Sequence, residues 1–390
     1  MTAPSAPMQP GAAFPASRLA VSGLFLLNGY VMGNWAPKIP EFAARLGLDE
    51  GALGVFILVF GIGSMVAMPV AGALMARLGS RPLVRPLALA TAFAMLAVSL
   101  APTPAVAAVV VFFLGMAVGG MDVTMNANAV AVERSMGRSI MSSCHGFWSL
   151  GALAGSFSGG WLIASLGVLG HSLLVTAAGA AVLAAIWRSV MADAPGRETE
   201  GHSRRLPLSP LPWLVGLMAL FSMIPEGAIL DWAAFYLRQE RGASLTQSGF
   251  AFGAFSTTMA LMRFAGDGVR DRIGAVTTLR LCTLLAMAGM VLAGLSMTPG
   301  LVIAGFAICG IGISNMVPIA FSAAGNLPGF APGVALSVVT FMGYSGILFA
   351  PAIIGSVAEH TGFAAVFLAL PVLFAVVLLL SPLATHADQA

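Results

Sequence analysis

An aspartate inside an unbroken apolar stretch is the first group in this chain whose type and place imply chemistry. Asp122 lies in GMAVGGMDVTMNANAVAVE, residues 115 to 133, with no other charge before Glu133 and Arg134. Placing an ionised carboxylate near the centre of a bilayer costs at least about 3 kcal/mol on insertion scales, so such a residue is held by protein or water and is a candidate proton carrier. At 3.6 residues per turn, Gly115, Gly119, Asp122, Asn126 and Glu133 share one helix face. That face reads as a close-packing end followed by a polar stripe along a substrate or proton path. Glu226, about 15 residues into its own apolar segment, is costly there unless paired or protonated. His145 carries an imidazole whose ordinary pKa near 6.5 allows proton transfer in the physiological range. It can equally serve as a hydrogen bond to a neighbouring helix.

Around these three proton-coupling candidates the sequence offers a set of hydrogen-bonding side chains for a solute: Asn28, Trp35, Asn126, Ser149, Asn315, Ser322, Thr340 and Tyr344. Such groups suit a neutral polyol or sugar-like compound. No basic residue is expected at mid-membrane, so an anion would find no counter-charge. Ser142, His145, Ser149 and Ser156 fall on one helix face, and the internal repeat described next maps the first three onto Ser337, Thr340 and Tyr344.

The elements that must carry these groups are membrane helices. Charged residues are only 8% of the chain, against roughly 25% in a soluble domain. A span needs about 20 apolar residues, and twelve such segments can be marked. The expected architecture is therefore all-α and integral to the membrane: a disordered tail over 1–17, a six-helix bundle over 18–191, a polar linker over 192–210, a second six-helix bundle over 211–384 and a short tail over 385–390. Fourteen basic residues fall on one side of this layout and four (Lys38, Arg45, Arg238, Arg241) on the other, which places both termini in the cytoplasm. Arg263 is counted on the cytoplasmic side. The halves repeat at an offset of 195: Arg77 maps to Arg272, Gly79 to Gly274, Arg85 to Arg280, Gly151 to Gly346. Duplicated bundles are what carriers use to expose a central site alternately to the two sides.

The loops between segments 2 and 3 and between 8 and 9 hold Gly72-Ala-Leu-Met-Ala-Arg77-Leu-Gly79-Ser-Arg81 and Asp267-Gly-Val-Arg-Asp271-Arg272-Ile-Gly274. Both resemble the G-x-L-x-D-R-x-G-R loop of the major facilitator superfamily, in which Asp and Arg latch the cytoplasmic helix ends. Ala76 stands where the first copy would have its Asp, so the resemblance puts the latch mainly on Asp271 and Arg272. The run Gly151-x-x-x-Gly155-Ser-x-x-Gly159-Gly160 looks like a glycine-rich motif of the superfamily's antiporters without its Pro, and reads first as close helix packing. Trp35-Ala-Pro37-Lys38-Ile-Pro40, Asp122 with Asn126, His145-Gly-Phe-Trp-Ser-Leu-Gly151, and Glu226-Gly with Asp231-Trp232 are together similar to the MosC-type branch, related to proton-coupled fucose permeases. That resemblance implies a carrier of the bacterial inner membrane with Asp122 as the coupling carboxylate. Helix 1 offers Asn28 and Asn34 where fucose permeases have a second carboxylate.

The expected function is proton-coupled import of a sugar- or polyol-like solute by a monomer. Proton-driven efflux of amphipathic compounds and a transport-dead receptor are the alternatives. No P-loop supports an ATP-driven pump. Cys144, Cys282 and Cys309 lack metal-ligand spacing. No enzyme activity, cofactor, metal or nucleic-acid partner is expected; the expected partners are a small-molecule substrate, protons and the lipid bilayer.

Overall fold

The computed structural model describes residues 15–193 and 209–389. Most of the expected N-terminal tail and of the linker lies outside these residues. The described chain is helical and holds no strand. Its helices are α1 (Ala16–Leu46), α2 (Glu50–Leu78), α3 (Arg81–Leu100), α4 (Pro104–Met136), α5 (Met141–Ile186), α6 (Leu211–Arg241), α7 (Leu245–Ile273), α8 (Ala275–Leu295), α9 (Pro299–Ile313), α10 (Met316–Gly325), α11 (Pro332–Thr361), α12 (Phe363–Ala369) and α13 (Pro371–Leu380). Nine helical stretches among the described residues are long and apolar enough to cross a membrane.

Local signals account for the ends. Asp49 caps α2 by accepting from the Ala52 amide at 2.7 Å, and Ser244 and Gln247 form a reciprocal capping box at the start of α7. The C-caps of α1, α4 and α6 are Gly47, Gly137 and Gly242 in the left-handed region. α5 contains a reversal rather than a bend. Gly151 and Gly155 lie against Leu26 and Tyr30 of α1 in parallel order, whereas Gly179 and Ile186 lie against Leu27 and Gly23 in antiparallel order. Gly167, at φ 69° and ψ 173°, turns the chain between these two antiparallel arms, a conformation that a side chain disfavours.

α1 to α5 pack chiefly on one another, as do α6 to α13; across the seam between the groups α2 meets α11 and α5 meets α7. Arg18 and Asp388 mark one end of the molecule, the proximal end. α2, α4, α7 and α10 finish there, and α3, α5, α8 and α11 begin there. The glycine run of α5 is a packing surface: a Cβ at Gly151 or Gly155 would strike the backbone of α1.

The C-terminal residues are not a free tail. Residues 381–389 form a 3-10 segment in which Ala384 and Ala387 are buried. Asp388 accepts from the Ala275 amide at 2.7 Å, capping α8. In the other half Asp193 accepts from the Ser80 amide at 2.8 Å and the Arg81 amide at 3.2 Å, capping α3. The two aspartates stand 195 apart, so the repeat extends into segments that the sequence reading assigned to linker and tail.

Candidate functional site

Midway along the seam, polar groups from five helices meet. Asp122 is 4% exposed, and its Oδ2 has no hydrogen-bond partner. Gly115 and Gly119, on the same helix, let α2 approach at Phe60 and Ser64, while Asp122 is faced by Tyr344 of α11. Tyr344 is in turn within electrostatic reach of Glu226 of α6. Glu226 pairs with Arg263 of α7 at 3.3 Å, and Arg263 crosses the seam to the Ser149 hydroxyl at 2.8 Å. Its neighbour His145 projects from the same arm of α5, with its ring 5.2 Å from Phe25 and 5.7 Å from Phe321. Asp122, Tyr344, Glu226, Arg263, Ser149 and His145 thus form one central group, shared by both bundles and within electrostatic reach of one another.

Arg263 corrects two expectations. It is not a proximal anchor, and the middle of the seam does contain a cation. It lies ten residues before the end of α7, about 15 Å along the axis, and is 5% exposed. Part of its seat is made by a proline. Pro318 in α10 has no amide hydrogen, which frees the Ser314 carbonyl four residues earlier, and Arg263 Nε reaches that oxygen at 3.5 Å. The offset of 195 places Met68 opposite Arg263, so the repeat carried no signal for it.

The remaining sequence candidates divide. The Asn126 amide donates to the Asp122 carbonyl at 2.9 Å and leaves its own Oδ1 unpartnered. Asn315 donates to Ser314 at 3.0 Å, and its Oδ1 is likewise free. Thr340 Oγ1, one turn before Tyr344, and His145 Nε2 complete a set of buried polar atoms without partners. Asn28 is already engaged, accepting from Trp148 Nε1 at 2.9 Å. Trp35 packs edge-on to Phe42, with centroids 5.6 Å apart. Ser322 does not join the central group: its hydroxyl donates to Glu133 at the proximal end.

That proximal end is closed by a second, denser set of polar contacts. Glu133, fully buried, accepts from Arg270 at 3.0 Å, from the Ile140 and Met141 amides at 2.9 and 3.1 Å, and from Ser322. Asp267 accepts from the Ser142 and Ser143 amides at 2.9 and 3.0 Å, placing its charge at the start of α5 where the helix dipole favours it. Asp271 accepts from the Ser139 amide at 2.8 Å, and Arg134 reaches Asn326 and the Gly325 carbonyl. Each of these ties the two bundles together, apart from the two amides within α4–α5. The latch expected on Asp271 and Arg272 is therefore corrected in its cation: Arg272 is exposed and Arg270 makes the crossing. In the first loop Gly72 packs against Ser337 and Gly333 of α11, Gly79 turns at φ 78° beside Asp193, Arg81 gives its amide to Asp193, and Arg77 is exposed. Gly274 turns at φ 79° beside Asp388. Sequence reasoning missed Arg270, Asp193 and Asp388. The common offset of the two aspartates was the available signal.

An all-helical chain with a polar group buried on the seam between two packed bundles is the build of a membrane carrier. The sequence matches the profile of the Major Facilitator Superfamily over residues 21–347 and 215–389. The chain is 35% identical over 365 residues to an uncharacterised MFS-type transporter of Yersinia pestis, covering 92% of this chain and 93% of that one. It is 32% identical over 352 residues to the membrane protein MosC of Rhizobium meliloti, covering 88% and 84%. The fold superposes on the E. coli fucose:proton symporter FucP with a TM-score of 0.78 at 16% identity, covering 94% and 97%, and on the human organic anion transporter MFSD10 with 0.74 at 18%, covering 94% and 100%. The chain belongs to the Major Facilitator Superfamily, with MosC among its relatives. This is a family of multi-pass membrane transporters of small molecules, not of enzymes.

Proposed function

We propose that this chain is a proton-coupled secondary transporter of the bacterial inner membrane that moves a sugar- or polyol-like solute by alternating access. The single observation that supports this reading best is Asp122: a buried carboxylate at the seam, with one oxygen unpartnered and a tyrosine of the opposite bundle facing it. Such a group can take up a proton and then be presented to the other side when the bundles rock. The free Oδ1 atoms of Asn126 and Asn315 and the hydroxyl of Thr340 offer hydrogen bonds to the hydroxyls of a solute. FucP and the xylose:proton symporter XylE, which share this fold, are proton symporters by name.

In this reading the chain crosses the bilayer twelve times: α1 to α4, the two arms of α5, α6 to α8, α9 with α10, α11, and α12 with α13. The fourteen-to-four distribution of basic residues supports a cytoplasmic proximal end. The polar ties there then close the cytoplasmic side, as expected of an outward-facing carrier. One chain holds both halves of the pathway, so a monomer suffices.

The test begins with thermal shifts of the purified protein against inositols, hexoses, amino-polyols and lipophilic cations at mildly acidic and neutral pH, since a ligand that binds only the folded state raises apparent stability. A sugar or polyol hit is expected; a hit confined to lipophilic cations would replace import by efflux. Uptake of the hit into proteoliposomes under an inward proton gradient follows. Asp122→Asn should abolish accumulation and keep exchange. Normal gradient-driven accumulation by that variant would remove Asp122 from coupling.

A further inference from the structure

The central group contains two carboxylates and one cation. A guanidinium is a permanent cation in proteins, and a buried charge is tolerated only with a compensating partner. Its carboxylate partner is Glu226, at 3.3 Å; its other contacts are the neutral Ser149 hydroxyl and the Ser314 carbonyl. Among the described residues no cation is paired with Asp122, which faces Tyr344. Among the described residues, the titratable groups within electrostatic reach of the two carboxylates and Arg263 are Tyr344 of α11, which faces Asp122, His145 of α5 and Cys309 of α9. None of these supplies a second positive charge without binding a proton of its own.

We propose that Arg263 is the positioning residue for proton coupling: by occupying Glu226 it leaves Asp122 as the one central carboxyl group that binds and releases the transported proton. With Asp122 protonated, the group of Asp122, Glu226 and Arg263 is neutral; with it ionised, the group carries one negative charge. The transported stoichiometry is then one proton per cycle, and Glu226 remains a fixed counter-ion. The inference rests on the reading of Asp122 as the coupling site, and it removes Glu226 from the set of carriers. It also assigns a reason for the bond to Ser149. The same guanidinium that fixes Glu226 touches the other bundle, so the counter-charge is held at the seam rather than inside one half.

The assignment can be tested without a substrate, by pH titration of the purified full-length protein in lipid, followed by infrared difference spectroscopy of the protonated-carboxyl carbonyl stretch. One central carboxyl band is expected in the unmodified protein, lost in Asp122→Asn and retained in Glu226→Gln and Arg263→Lys. Arg263→Gln should gain a second band, and Arg263→Gln combined with Glu226→Gln should return to one. The double variant is charge-balanced, so it reports even if Arg263→Gln alone does not fold. A band that disappears with Glu226→Gln and survives Asp122→Asn would overturn the assignment, as would a band count unchanged by Arg263→Gln in folded protein. A carrier that proves to be uncoupled from protons would fail the proteoliposome test yet leave these spectra readable, so the two failures are distinguishable.

Discussion

The middle of the seam and its proximal end use the same residue types in opposite ways. At the proximal end the two buried carboxylates are saturated: Glu133 accepts from an arginine, two amides and a hydroxyl, and Asp267 from two amides and the Ser143 hydroxyl. In the middle, Asp122, Asn126, Asn315, Thr340 and His145 each leave a buried polar atom unpartnered. Native proteins satisfy most buried polar groups, so a cluster of exceptions calls for an explanation. A closure that must hold for part of a cycle is served by saturation. A site that receives a visitor is served by vacancies that the visitor's own hydrogen bonds complete.

The contrast can be broken first where it is strongest. Glu133→Ala leaves Arg270 buried beside the single, partly exposed Asp388. Removing one partner of a buried pair typically costs about 3–5 kcal/mol. The variant should lose thermal stability and open the proximal end, read as faster labelling of a cysteine placed at Ser139 or Asn326. Unchanged labelling would show that the seam does not depend on this pair. Ser149→Ala should cost about 1.5–3 kcal/mol, the range for hydrogen bonds to charged groups, detected as a lowered unfolding midpoint that Ser149→Thr restores. Asp388→Asn keeps a capping oxygen for α8 but weakens a half-exposed ion pair at 3.5 Å with Arg270. A loss of at most about 1 kcal/mol is expected, with a correspondingly small rise in the same labelling rate. Asp122→Asn should leave the unfolding midpoint unchanged or raised, because it removes a buried charge that no cation compensates and keeps a carbonyl oxygen for Tyr344. A large drop would mean that Asp122 belongs with the saturated set.

The sequence revealed what depends on composition and spacing. Asp122 was legible because a charge in an apolar segment is costly wherever the helix packs. The repeat maps α2 onto α7 and the first arm of α5 onto α11, so the pairings of α2 with α11 and of α5 with α7, which the structure supplies, are one contact in two copies. Arg263 was not legible, since an arginine about three turns from a helix end reads as a proximal anchor until its neighbour Glu226 is seen. Ser322 was misassigned for a related reason. Its partner Glu133 is 189 residues away, and helix periodicity gives a face but not what lies opposite it. Choosing Arg272 over Arg270 followed the loop pattern, whereas the direction of each side chain at the end of α7 decides which cation crosses. Asp193 and Asp388 were readable in principle, but the polar runs around them masked the repeat.

Those two aspartates give each half its own fastening: Asp193 closes the first onto α3, and Asp388 the second onto α8. Neither fastening uses the residues joining the halves, so covalent continuity between them is not what keeps either one assembled. Two separately encoded fragments, one ending just after Asp193 and one starting at Ser209, should find each other in the bilayer and rebuild the seam.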